Sequence, residues 1–222
     1  MPIDTLIHAR WLIPVEPESA VLEHHSLAIH DGDIIAILPT AQARRDYTAA
    51  HTVELGSHAL LPGLVNCHTH AAMSLLRGRA DDLPLMDWLQ NHIWPLENRW
   101  VSEEFVEDGT RLAIAELLLG GVTCFNDMYF FPNVTARLAV QHGIRAGIGL
   151  VVFDFPTAWA DSCDAYFDKG LALYHDWHDE PLLRLTLAPH APYTVSDAPL
   201  WRVRQLSGEL GLPVHMHIHE TR

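Results

Sequence analysis

Two histidines one residue apart, His68 and His70, close the stretch Leu61-Pro62-Gly63-Leu64-Val65-Asn66-Cys67-His68-Thr69-His70. Strand side chains repeat with period two, so both imidazoles project from one face at the strand's C-terminal end, which is a metal-ligand geometry. Two other stretches carry histidine in the same kind of place: Pro189-His190-Ala191-Pro192-Tyr193 and Val214-His215-Met216-His217-Ile218-His219-Glu220. One His-x-His is a weak signal, but three strand ends bearing histidine together point to a metal site. His215, His217 and His219 share one face of an ideal strand, so periodicity leaves open which of them is a ligand. The chain has 16 histidines, and most of the others, such as His24, His25, His51, His175 and His178, fall in polar segments or on an exposed helix face, where surface or structural roles are expected.

The elements that must position these groups follow from hydrophobic periodicity. Residues 3–14 and 26–38 read as strands, the second with an Asp31-Gly32-Asp33 hairpin signal, and Thr52–Leu55 as one more. Residues 1–57 are thus expected to be part of a small β-sandwich domain. From residue 58 strands alternate with helices: strands over Ala59–Val65, Val122–Phe125, Arg145–Phe153, Leu182–Ala188 and Leu212–His219, and helices over Phe105–Leu119 with Ser102 as N-cap, Pro132–His142, Cys163–Trp177 and 197–210. Such alternation implies βαβ units and a parallel sheet, whose active sites lie beyond the strands' C-terminal ends. Arg145 stands at the opposite end of its strand and is read as structural.

With 222 residues, 49% hydrophobic and 19% charged, the chain can bury a sizeable core. A net charge of -14, with arginines scattered beside the single Lys169, argues against a nucleic-acid partner and for a small-molecule substrate. Three cysteines in no paired spacing, no export signal and no long apolar run give the expectation of a cytoplasmic protein without a membrane span.

Pro62-Gly63-Leu64-Val65-Asn66-Cys67-His68-Thr69-His70, then Trp88 and Glu97, then Ala188-Pro189-His190-Ala191-Pro192-Tyr193, then His217-x-x-Glu220 together resemble the amidohydrolase superfamily, and within it the methylthioadenosine/S-adenosylhomocysteine deaminases. The resemblance implies a (β/α)8 TIM barrel holding one divalent metal, zinc or else iron. It implies His68, His70 and His217 as ligands and Glu220 as the carboxylate that moves protons while metal-activated water displaces ammonia from a purine nucleoside. Glu97 would hold the ribose hydroxyls, with Trp88 and His190 beside the substrate. The alternative for the Trp88–Glu97 segment is a lid helix whose tryptophans form an apolar face and whose glutamate is solvated. The resemblance further suggests a homodimer or larger homo-oligomer.

The expected fourth barrel strand carries no lysine, so no carbamylated lysine bridges a metal pair, and a single-metal site is expected. Guanine deaminase or chlorohydrolase chemistry is the neighbouring reading, and a non-catalytic metal-binding fragment a third, against which Glu220 speaks. A full barrel needs three more βα units, with a further histidine and a metal-binding aspartate. Residues 58–222 are therefore expected to be its first five strands, inactive as an isolated polypeptide.

Overall fold

The computed structural model describes residues 1–220, which form two compact units, Met1–Gly63 and Leu64 onward. In the first, β1 (Pro2–Leu12), β2 (Leu22–His30), β3 (Asp33–Pro39) and β4 (Thr48–Leu60) make one sheet in the order β3-β2-β1-β4. β2 and β3 meet in a hairpin at Asp31-Gly32, both at positive φ. α1 (Thr40–Asp46), which sequence periodicity did not single out, buries Ala43 against Ile3, Leu6 and Ala28. Among the described residues this unit builds one sheet. The expected strand Thr52–Leu55 is the middle of a 13-residue strand whose polar side chains mask its length.

In the second unit β5 (Leu64–Thr69), β6 (Val122–Asp127), β7 (Arg145–Val152) and β8 (Leu183–Pro189) form a parallel sheet in sequential order. Ala59 and Leu60, assigned from sequence to its first strand, instead end β4, because Pro62-Gly63 breaks the apolar run. Between the strands run α4 (Glu103–Leu119), α5 (Pro132–His142) and α6 (Cys163–Trp177), and α7 (Asp197–Leu210) follows β8. Ser102 and Ser162 cap α4 and α6 by accepting from the amides of Phe105 and Ala165.

The two faces of β7 explain how the sheet works. Ile148, Leu150 and Val152 are buried in the apolar core with Leu138 of α5 and Tyr166 and Phe167 of α6. The alternate positions hold Gly147 and Gly149, which leave room for other groups: a Cβ at Gly149 would lie 2.8 Å from the Asp127 carbonyl and 3.1 Å from the His215 ring. The Asn126 side chain therefore sits over Gly147 and the His215 ring over Gly149.

The expected fifth strand, Leu212–His219, is a correction: only one β-bridge forms, Val214 with Leu187. The backbone bonds Leu187 N to Pro213 O and His215 N to Leu187 O begin a parallel ladder, but Pro189 has no N–H to continue it, and the His217 amide turns to the His190 carbonyl. No helix among the described residues is long and apolar enough to cross a membrane.

Candidate metal centre and substrate cavity

β5 delivers His68, and His70 follows its last residue. Pro213 and the interrupted ladder bring in His217 from the segment beside β8. His70 Nε2 lies 3.3 Å from His68 Nε2 and 3.2 Å from His217 Nε2. Carbonyl oxygens only accept, so His70 Nδ1–H donates to Met128 O at 2.6 Å and His217 Nδ1–H to His190 O at 2.9 Å. Both tautomers are thereby fixed with the Nε2 lone pair directed at the cluster. Burial, followed by the like charges of His217 and His68, pushes His70 down to about 4, so it is neutral at pH 7. Tetrahedral coordination at a zinc–nitrogen distance of ~2.0–2.1 Å places ligand nitrogens about 3.3 Å apart; the two separations from His70 fit that spacing, and the three nitrogens all lie within 4.8 Å of one another.

The three histidines of the last segment separate. His215 bonds the Thr186 hydroxyl at 2.9 Å and packs over Gly149, outside the cluster. His219 has φ +60 and is exposed, because the extended path has ended. Glu220, three residues beyond His217, accepts from the Tyr193 hydroxyl at 2.8 Å.

Beside the cluster opens a cavity of about 320 Å³. It is bordered by His70, His217, Glu220 and His190 and by the aromatic rings of Trp88, Trp94, Phe153 and Phe155. His190 stacks on Phe153 with ring centroids 4.5 Å apart, and its Nδ1 pairs with the Thr194 hydroxyl at 2.9 Å. Burial pushes His190 down to about 3, with His217 and His70 adding to the shift. Trp88 donates its indole N–H to Ala80 O, so only its apolar ring remains for the cavity.

Trp88 and Glu97 belong to one continuous helical segment: α2 (Leu85–Asp87), a π-helical stretch Trp88–Ile93 and α3 (Trp94–Trp100). The wider π spacing, a form frequent at functional sites, keeps Trp88, Leu89, Ile93, Trp94 and Glu97 on the cavity side. The solvated alternative for Glu97 fails on this geometry. The side chain lines the cavity, takes a hydrogen bond from the Tyr129 hydroxyl at 2.8 Å, and is raised by burial to about 7 despite that bond. Arg145 is exposed at the start of β7, the end of that strand opposite the cavity residues Val151 and Phe153.

Tyr129 and Asp127 were not singled out from sequence. The signal was present: strand ends carry function, but β6 runs to Asp127, two residues past the expected end at Phe125, and so places both at such an end. Asp127 is buried, pushed up to about 6 by that burial, and accepts from the Thr69 hydroxyl and the Ala71 amide.

Residues 59–222 match the model of the amidohydrolase family. The chain is 50% identical over 220 residues to a 5-methylthioadenosine/S-adenosylhomocysteine deaminase of Saccharophagus degradans, covering 99% of this chain and 49% of that protein. A crystal structure of an adenosine deaminase from Xanthomonas campestris with bound zinc superposes with a TM-score of 0.97 at 55% identity, over 99% of this chain and 50% of that one. An atrazine chlorohydrolase from Arthrobacter aurescens shares the fold, with a TM-score of 0.86 at 20% identity over 97% of this chain and 53% of the other. The chain spans about half the length of the curated relatives it matches.

Proposed function

The chain belongs to the amidohydrolase family, and on that premise we propose that the protein carrying it is a metal-dependent hydrolytic deaminase of adenosine derivatives, 5′-methylthioadenosine and S-adenosylhomocysteine among them. One observation carries the reading: three imidazole nitrogens converge at one side of an apolar cavity that also holds Glu220. His68, His70 and His217 are the proposed ligands of one divalent ion, zinc by the donor set, with iron as the alternative. When bound, such an ion lowers the pKa of water toward ~7.

The chain's own residues supply the rest. Glu220 takes a proton from the attacking water and delivers it to the ring nitrogen beside the amine-bearing carbon. The carbon–oxygen bond forms with this first transfer; Glu220 then takes the proton of the new hydroxyl and hands it to the amine, so that the carbon–nitrogen bond breaks, ammonia leaves and a carbonyl remains on the ring. The Tyr193 hydroxyl engages Oε2 and leaves Oε1 for this transfer. Glu97 accepts the ribose hydroxyls, oriented by Tyr129 at Oε1, and His190 borders the base. Trp94, Phe153 and Phe155 give an apolar wall suited to a 5′-thioether, since sulfur packs favourably on aromatic rings. The relative named adenosine deaminase supports adenosine itself as a second substrate.

The sequential parallel strands β5 to β8 support a (β/α)8 barrel as the complete architecture, because right-handed crossovers in one direction keep every helix on the same face. The test is ammonia release from methylthioadenosine, S-adenosylhomocysteine, adenosine and guanine by the protein carrying this chain. Release from the adenosine derivatives is expected. No release from any purine nucleoside overturns the reading.

A further inference from the structure

Asp127 is a buried carboxylate near the centre that the proposed ligand set, proton transfer and substrate grip all leave unused. It is 3% exposed and does not line the cavity. Its Oδ1 accepts from the Thr69 hydroxyl at 2.8 Å and from the Ala71 amide at 2.7 Å, the residues on either side of His70. The next residue, Met128, returns two bonds to the same turn: its amide donates to Thr69 O at 3.1 Å and its carbonyl accepts from His70 Nδ1–H at 2.6 Å.

We propose that Asp127 is a positioning residue for the metal centre, tying the Thr69 side chain and the Ala71 backbone amide on either side of His70 so that its Nε2 is held against His68 and His217 before any ion arrives. The inference rests on the reading of those histidines as ligands. Bonds to an ionised carboxylate are about twice as strong as neutral ones, and a buried carboxylate has no water to exchange them with. Without this tie, the turn keeps the His70 ring's bond to Met128 O, the Met128 amide and Asn126 carbonyl contacts of Thr69 and the Met73 amide on His70 O, but nothing holds the Ala71 amide that opens the 3₁₀ turn Ala71–Leu76.

The test is zinc affinity of the full-length protein, measured by competition with a chromophoric chelator, for wild type, Asp127→Asn, Thr69→Val and Thr69→Ser. Asp127→Asn and Thr69→Val are expected to weaken zinc binding roughly 10–100-fold, the usual effect of losing a group that orients a ligand. Thr69→Ser, which keeps the hydroxyl, is expected to restore wild-type affinity. KM for substrate at saturating zinc is expected to be unchanged, since Asp127 does not line the cavity. Wild-type affinity in both Asp127→Asn and Thr69→Val overturns the proposal, as does Thr69→Ser binding as weakly as Thr69→Val. If Asp127→Asn does not fold, the Thr69 pair decides alone. A wild type that binds no zinc instead overturns the metal reading itself, and this inference with it.

Discussion

His70 and His217 stand 147 residues apart in the chain, yet their Nε2 atoms lie 3.2 Å from each other while both Nδ1–H groups donate to main-chain carbonyls, those of Met128 and His190. Backbone atoms at the ends of β6 and β8, rather than side chains, thus set the two ring orientations.

The turn after His70 is packed against α4 at Gly109, where a Cβ would stand 2.8 Å from the Ala72 Cα and closer still to its carbonyl oxygen. Backbone cannot rotate out of the way as a side chain does, so Gly109→Ala must push α4 from the turn. A loss of about 1–3 kcal/mol is expected, as for other overpacked sites, together with weaker zinc binding because Ala72 follows His70 by two residues. Denaturant midpoints and chelator competition check both; an unchanged midpoint contradicts the packing argument.

Glu97 gives a pH signature. Burial raises it from 4.5 to about 7, so the folded state holds its proton more tightly than the unfolded chain does. Its contribution is fully present below pH 4.5 and lost as pH rises through about 7, a change of up to about 3 kcal/mol. The stability of wild type relative to Glu97→Gln should fall across that window, measured by denaturant unfolding of both from pH 4 to 8. Parallel curves would show that Glu97 is not buried as described.

Tyr129→Phe removes the hydroxyl that holds Glu97 and opposes its raised pKa. The carboxyl should then titrate higher and bind ribose less well at neutral pH. KM for adenosine derivatives is expected to rise roughly tenfold, the scale of one hydrogen bond to a charged group, with kcat little changed. A fall in kcat at constant KM would place Tyr129 in the chemistry instead of in substrate grip.

Much of this was legible in sequence where local rules act alone. Ser102 and Ser162 start their helices, and α5 ends at Gly143 in the left-handed conformation that a C-terminal glycine favours. His68, His70, His217, Glu220, Trp88, Glu97 and His190 all border the cluster or its cavity. What sequence could not give is whatever depends on a partner far along the chain. Period two put His215, His217 and His219 on one face, and only the missing N–H of Pro189 and the space above Gly149 separate them. β4 was underread because polar residues such as His51, Glu54, Ser57 and His58 interrupt its apolar pattern and its pairing with β1 supplies the regularity. The π stretch has no propensity signature, and the Tyr129–Glu97 and Asp127–Thr69 bonds join segments 32 and 58 residues apart.

The most direct test of the proposed centre is to measure metal content and ammonia release together in wild type and in Glu220→Gln of the full-length protein. One zinc per chain is expected in both, with release from methylthioadenosine in wild type and a loss on the order of 10²–10⁴-fold in the variant, the range for a removed acid–base group. Release at the wild-type rate by Glu220→Gln, or a wild type that deaminates without bound metal, would contradict it.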